Sequence, residues 1–379
     1  MHLDQAERRD PAALWAAVAT ALSGLDLSRV GALAVDGTSG TLLPITADGM
    51  PMGPLSLYKD PAPEPQRAAV ADWGPPVGAA SALARAIALH AAPRVGRILH
   101  EADWIAGQLC GRFDVTDENN ALKTGYDPIA RTWPTRLEAV GITAEKLPQV
   151  LSPGSALGRV TASATRLFGL PRDAVVAAGT TDGCASFLAT GADQPGDAVT
   201  ALGSTTTLKL LADVPVFAPE FGIYSHRIHG HWLAGGASNA GGAVLARFFT
   251  PEQLKVLSKR IDPTKPSPCD FYPLPSPGER FPVNDPVLAP RLTPRPADDV
   301  AFLHGLLEGI ARIEAQGYRR LAESGAPSVR RVLTVGGGAT NPRWTAIRTR
   351  VLGIPVEVAV TTEAAQGAAI LARSALQLA

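Results

Sequence analysis

The sequence predicts an α/β protein of two domains, and three observations predict it. Short apolar runs alternate with helical patterns along the whole chain, the signature of sheets layered with helices. A length of 379 residues exceeds what one hydrophobic core usually serves. A content of 46% apolar and 18% charged residues is the balance of a globular protein.

Taken in order, Asp10-Pro11 reads as an N-cap followed by proline at the first helical position. Leu14, Trp15, Val18 and Leu22 then repeat at helical spacing. Gly31-Ala32-Leu33-Ala34-Val35 reads as a buried strand that stops at Asp36-Gly37, and Thr41-Leu42-Leu43-Pro44-Ile45 as the next, turning at Ala47-Asp48-Gly49. Residues 60 to 78, rich in proline and alanine, read as a loop, and helical patterns resume over 79 to 110. Ala174-Val175-Val176-Ala177-Ala178 is a short apolar run entering Gly179, and a helix from Gly183 turns Cys184, Phe187 and Leu188 inward. The turn-rich break at 191 to 196 divides the chain into segments 1–192 and 193–379.

Strand-like runs follow at 198 to 202, 221 to 228 and 231 to 234, with His229-Gly230 as a hairpin turn. Residues 262 to 296 are dense in proline and form a long ordered loop or a linker. Asp298 caps a long helix carrying Leu303, Leu307, Ile310, Ile313 and Leu321 on one face, and Gly325 ends it. Val332-Leu333-Thr334-Val335 is a buried strand entering Gly336-Gly337-Gly338, with helices from Pro342 and from about Glu363. No short tandem repeat is present.

Lys plus Arg and Asp plus Glu both number 35, so the basic excess of a nucleic-acid binder is missing. No run of about 18 apolar residues suggests a membrane span. The first ten residues are charged and lack the apolar core of a secretion signal. Cys110, Cys184 and Cys269 are few and far apart, which argues against a disulfide framework or zinc site and fits a reducing cytoplasm.

Four turns carry candidate chemistry. In Gly179-Thr180-Thr181-Asp182-Gly183 one carboxylate sits in a glycine turn ahead of a helix. Asp182 is either a helix cap or a general base for a substrate hydroxyl, and the roles are compatible because a helix N-terminus favours the ionised form. In Gly203-Ser204-Thr205-Thr206-Thr207 the glycine permits close backbone approach, and Ser204 and Thr205 offer N–H and hydroxyl donors to a phosphate, or the run simply continues a strand. Gly336-Gly337-Gly338-Ala339-Thr340-Asn341-Pro342 leaves a groove without side chains before a helix, either for a nucleotide or as a structural turn. Asp36-Gly37-Thr38-Ser39-Gly40 delivers small polar groups to a turn that suits sugar hydroxyls or phosphate, or forms a plain hairpin. Neither the dinucleotide-binding nor the P-loop glycine spacing occurs. His226, His229 and His231 cluster without a further ligand, so no metal site is expected from them, and Cys184 is expected to face the core.

The order of these turns resembles the FGGY family of carbohydrate kinases over nearly the whole chain. Thr116-Asp117-Glu118-Asn119-Asn120-Ala121, followed by Lys123-Thr124-Gly125-Tyr126-Asp127 and Trp133, is similar to that family's mid-domain signature. Residues 179 to 183 resemble its catalytic-aspartate turn, Gly203-Ser204-Thr205 its second phosphate motif, 336 to 341 its adenosine motif, and Glu363-Ala364-Ala365-Gln366-Gly367-Ala368 its closing helix. Residues 35 to 41, Tyr224-Ser225-His226-Arg227, 235 to 242, Phe271-Tyr272-Pro273-Leu274-Pro275 and Gly278-Glu279-Arg280-Phe281-Pro282 resemble the cyanobacterial and plant D-ribulose kinase branch, some members of which are labelled xylulose kinases.

The resemblance implies two ribonuclease H-like (actin-like ATPase) domains with an interdomain cleft, ATP with Mg²⁺ as co-substrate, and a ketopentose acceptor, D-ribulose before D-xylulose. It implies Asp182 as general base and sugar contact, with Thr38, Ser39 and Asp60 also at the sugar. It implies Gly203, Ser204, Thr205, Gly337, Gly338 and Asn341 at the nucleotide, and a cytoplasmic monomer or homodimer. Family members open with a hairpin carrying Asp-x-Gly-Thr-Ser. Here a helix precedes Asp36-Gly37-Thr38-Ser39, and the spacing from Asp36 to Asp117 fits the later, sugar-side strand. The opening hairpin is therefore expected to be absent and the first domain truncated, through a misassigned start or a real truncation. The rival expectation is a catalytically impaired sugar- or nucleotide-binding remnant.

Overall fold

The computed structural model describes residues 3–73 and 80–378. It divides into two compact units. One is Met1–Ala189 with His226–His229 and Glu363–Ala379; the other is Thr190–Ser225 with Gly230–Thr362.

In the first unit, helix α1 (Pro11–Ser23) starts as its sequence dictates: the Asp10 side chain accepts from the Ala12 N–H, and Pro11 opens the first turn. Strands β1 (Ala32–Gly37) and β2 (Leu42–Ile45) follow. Helix α2 (Glu64–Ala69) lies inside the stretch expected to be a loop; residues 74–79 of that stretch lie outside the described residues. The region expected to be helical over 79 to 110 holds α3 (Ala82–His90), β3 (Arg97–His100) and α4 (Glu101–Cys110). The intervening β3 is an apolar run of only four residues, too short for periodicity to mark, and it is fixed by pairing antiparallel with β2. Then come β4 (Val115–Asp117), the short α5 (Glu118–Ala121), β5 (Gln149–Leu151), β6 (Ala156–Arg159), α6 (Ala162–Phe168), β7 (Val175–Thr181) and α7 (Asp182–Ala189).

The central sheet of this unit runs β1-β7-β6, with β1 and β7 parallel. Alternation along the strands assigns its faces. Leu33, Val35 and Val176 pack with Trp15 and Leu22 of α1, Leu109 of α4 and Phe168 of α6. Ala32, Ala34, Val175 and Ala177 face Ala375, which belongs to the last helix of the chain.

The second unit is built on β8 (Asp197–Leu202), β9 (Thr206–Ala212), β10 (Tyr224–Ile228, of which His226–Ile228 group with the first unit) and β11 (His231–Ser238). The Thr206-Thr207 run thus opens a strand, β9, that folds back antiparallel on β8. His229 and Gly230 form the expected turn between β10 and β11, with φ of 45° and 81°. Next are α8 (Gly242–Ala246), α9 (Pro251–Arg260), α10 (Asp299–Glu323), β12 (Arg331–Val335), α11 (Pro342–Leu352) and β13 (Val356–Val358). The sheet order is β10-β11-β9-β8-β12-β13.

Helix α10 spans 25 residues, and Asp298 caps it by accepting from Val300 and Ala301. Its first half buries Phe302, Leu306 and Ile310 against Trp344 and Phe271; its second half buries Tyr318 and Leu321 against Leu208 and Phe281. The proline-dense stretch is an ordered loop, not a linker. Phe271, Leu274 and Phe281 are buried, and the Glu279 carboxylate accepts from the Ser238 hydroxyl (2.6 Å) and the Asn239 N–H (2.7 Å).

The last helix, α12 (Ala364–Leu378), falls in the second segment by sequence but packs with the first unit. Small residues decide this. A Cβ on Gly367 would lie 1.9 Å from the Ala185 carbonyl oxygen of α7, so glycine alone permits that approach. Among the described residues, no helix is long and apolar enough to cross a membrane.

Candidate active site

In the first unit the parallel strands β1 and β7 end side by side, Asp36 opposite Thr180 and Gly37 opposite Thr181. Gly179 makes this possible: a Cβ there would lie 1.7 Å from the Val35 carbonyl oxygen. Asp182 follows as the first residue of α7. It is exposed, and one of its carboxylate oxygens accepts from the Gly183 N–H at 2.6 Å. Burial first, and then the Asp182 carboxylate, push the Asp36 carboxyl above its ordinary value. The Glu101 carboxyl, at the start of α4, is also pushed up. Burial dominates there, Arg8 opposes it, and Asp182 and Asp36 add to it. Three carboxyl groups thus share one electrostatic neighbourhood.

Beneath this turn lies a plate of buried amides and acids. The Asp117 carboxylate caps α5, accepting from the Asn119 N–H (2.8 Å), the Asn120 N–H (3.2 Å) and the Asn120 side-chain amide (2.6 Å). The Asn119 amide donates to the Thr180 hydroxyl at 2.9 Å, and its oxygen accepts from the Arg227 N–H at 2.8 Å. The Thr116 to Asn120 motif therefore positions the strand end that carries Asp182. Burial raises Asp117 to about 6 despite these donors, and Asp103 rises through burial and then through Asp117.

Thr38 lines a cavity of about 180 Å³ together with Thr41, Tyr58, Lys59, Glu101 and Arg8. Ser39 and Asp60 are not among its walls. The Asp60 carboxylate is engaged elsewhere: Arg9 donates to its two oxygens at 2.6 and 2.7 Å, and the Leu57 N–H at 2.8 Å. Arg8 and Glu101 carry no local signal in the sequence, since residues far apart in the chain bring them to this cavity.

The second unit holds a pocket of about 1180 Å³. Its floor is backbone: Gly203 and Ser204 at the end of β8, Gly242 at the start of α8, and Gly337 and Gly338 after β12. The two loops that begin at Gly203 and Gly241 are stitched together, Gly242 N–H to Gly203 carbonyl (2.8 Å) and Ala243 N–H to Ser204 carbonyl (3.0 Å). Gly336 takes φ 83°, where a Cβ would lie 2.7 Å from the Leu202 carbonyl oxygen. Asn341 lines the pocket while capping α11, accepting from the Arg343 and Trp344 N–H groups. Thr205 is not among the lining residues. Helix α9 contributes Pro251, Leu254, Lys255, Ser258 and Lys259, a single face at helical spacing. Its amphipathic pattern was the signal available in the sequence, together with the small residues of 235 to 242.

A buried network fixes the strands that carry these loops. Arg348 of α11, fully buried, donates to both carboxylate oxygens of Glu314 in α10 (2.6 Å each) and to the Thr334 hydroxyl of β12 (2.6 Å). The Thr200 hydroxyl of β8 donates to the same carboxylate (2.5 Å) and contacts the Tyr318 hydroxyl at 2.7 Å. Bidentate geometry with the remaining positions satisfied is what a buried ion pair requires.

Residues 196–376 match the model of the FGGY family of carbohydrate kinases, C-terminal domain. The chain is 30% identical over 303 residues to the autoinducer-2 kinase of Yersinia enterocolitica, a match covering 74% of this chain and 57% of that protein. The chain therefore spans less than two thirds of the length of the curated relatives it matches. Among solved structures it is similar to a xylulose kinase from Brucella ovis, at 23% identity over 97% of this chain and 79% of that one, with a TM-score of 0.83. It is equally similar in fold to a ligand-bound xylulose kinase from Lactobacillus acidophilus, at 18% identity, 100% and 83% coverage and TM-score 0.83. Residues 196–376 thus resemble the C-terminal domain of the FGGY family of carbohydrate kinases, and the chain has the two-domain, actin-like α/β fold of the sugar kinases it matches.

Proposed function

We propose that this chain is an ATP-dependent carbohydrate kinase that phosphorylates a ketopentose, D-ribulose to D-ribulose 5-phosphate. The observation that carries the reading is the pairing of two strand-end turns in one chain. One exposes a carboxylate on a glycine turn, Asp182; the other opens a glycine-floored pocket of about 1180 Å³ at Gly203, Gly242 and Gly337. Asp182 accepts the proton of the terminal hydroxyl, the alcohol oxygen attacks the γ-phosphorus in line, and the bond to the β-phosphate oxygen breaks to release ADP. Gly203, Ser204, Gly337, Gly338 and Asn341 hold the nucleotide, and Thr38 contributes to the acceptor site.

The pocket residues fit a nucleotide, because Gly337 keeps the wall free of a side chain, with nothing within 4 Å of where its Cβ would stand. Mg²⁺ bound to the phosphates would neutralise their charge, and one or two carboxylates suffice to hold such an ion. Ribulose is chosen over the xylulose and autoinducer-2 of the relatives' names because residues 35 to 41 and 235 to 242 resemble the ribulose kinase branch.

The test is ADP release in a coupled assay with D-ribulose, D-xylulose and autoinducer-2 as acceptors. Turnover highest with D-ribulose is expected. Turnover highest with another acceptor corrects the substrate. Calorimetric binding of ATP or ribulose with no ADP release above background overturns the catalytic reading in favour of a binding remnant.

A further inference from the structure

We infer that the large pocket of the second unit selects its phosphoryl donor by charge rather than by base, through Lys255, Lys259 and Arg343. The inference rests on the nucleotide reading of that pocket. Its walls contain these three cations and no carboxylate. None of the three has an ion-pair partner for its side chain among the described residues. Lys255 and Lys259 stand one turn apart on the lining face of α9, and Arg343 stands in the first turn of α11.

The uncharged polar side chains of the same walls are mostly committed to the fold. The Thr340 hydroxyl donates to the Gly337 carbonyl at 2.9 Å. The Asn341 amide donates to the Ser258 hydroxyl oxygen at 2.9 Å, and its oxygen accepts two helix N–H groups. The Trp344 indole N–H donates to the Leu307 carbonyl at 3.0 Å. Of the uncharged side chains, the hydroxyls of Ser204 and Ser258 and one N–H of the Asn341 amide keep a hydrogen to offer. A site that discriminates bases must aim fixed donors and acceptors at their edges, and such sites reject a wrong partner steeply. Cations on flexible stems around an acid-free pocket recognise a polyphosphate instead, whatever base it carries.

The experiment is calorimetric binding of non-hydrolysable ATP, GTP and CTP analogues to the full chain, alone and with Lys255→Ala, Lys259→Ala and Arg343→Ala singly and together. The wild type is expected to bind the three analogues within about fivefold of one another, against the hundredfold or more of a base-reading site. Each substitution is expected to weaken all three about tenfold, the size of one charge-assisted contact. Affinity should also fall more steeply with salt in the wild type than in the triple variant. The three side chains are exposed, so folding of the variants is checked by thermal melting, and Lys259→Arg should restore affinity lost in Lys259→Ala. An ATP analogue bound about a hundredfold tighter than the GTP and CTP analogues overturns the inference, as does a triple variant that binds like the wild type. If no analogue binds the wild type, the nucleotide reading itself falls, and this inference with it.

Discussion

At the end of β7 a glycine turn delivers a carboxylate; at the end of β8 a glycine turn delivers backbone and no charge at all. Around the first turn, Asp36, Glu101 and Asp182 crowd together and the protonated forms of Asp36 and Glu101 are favoured. Around the second, the pocket walls are glycine, apolar and uncharged polar side chains, and three cations with no ion-pair partner among the described residues. A similar local device, a strand ending in a glycine-containing turn, thus serves opposite chemistry. The acidic turn suits a group that takes a proton, and the basic pocket suits a group that arrives highly charged. The difference comes from what surrounds each turn, not from the turn.

The sharpest test of that contrast is Asp182→Asn. It should lower turnover by about 10²–10⁴-fold, the span of general-base contributions. ATP affinity, measured by calorimetry, should stay unchanged because the proposed nucleotide contacts lie in the other unit. Loss of nucleotide binding in this variant would break the division.

Arg348→Met probes the scaffold of the basic pocket. It strands the Glu314 carboxylate in the interior and should cost about 3–5 kcal/mol in urea denaturation. Arg348→Met with Glu314→Leu should recover most of the loss. A small effect of the single change would mean that β8 and β12 hold their loops without this network.

The acidic unit should respond to pH in its own way. Asp117 has its folded pKa raised to about 6, above the unfolded value. Its contribution to stability is greatest below the unfolded value, falls as pH rises, and is lost above about pH 6. Relative to Asp117→Asn, the wild type should therefore lose roughly 1–3 kcal/mol between pH 4 and pH 7. Denaturation curves at the two pH values measure this, and an equal slope in both proteins would remove Asp117 from the account.

The smallest effect is expected at Asn341→Ala. It removes the cap of α11 and the bond to Ser258, for about 1 kcal/mol of stability. Nucleotide affinity should fall only a few-fold if charge dominates donor binding. A large loss of affinity would show that Asn341 reads the ligand directly.

What the sequence made legible was local. Gly203 and Gly336 directly follow the last residues of β8 and β12, and Asp10, Asp298 and Asn341 cap helices through bonds that span two or three residues. Such chemistry is written in adjacent letters. Asp60 is placed at the acceptor site by the resemblance alone, and its carboxylate is bound by Arg9, 51 residues away. The Glu101 side chain reached the candidate site because β1, α4 and α7 converge, and the lysines of α9 reached the pocket because a whole helix faces it. The strands β3 and β9 were missed because their identity lies in pairing with β2 and β8, not in their own periodicity.

The seat of α12 has a consequence for how the chain is made. The helix that covers Ala32, Ala34 and Ala177 is encoded after the whole of the second unit. At roughly 5–20 residues per second, a ribosome needs on the order of ten to thirty seconds to travel from α7 to α12. Through that interval the alanine face of the first sheet waits uncovered, and the second unit, all of whose strands emerge earlier than α12, is free to fold ahead of the first. The amino-terminal half is therefore the last to be finished, and a nascent chain stalled before residue 364 would present that face to chaperones.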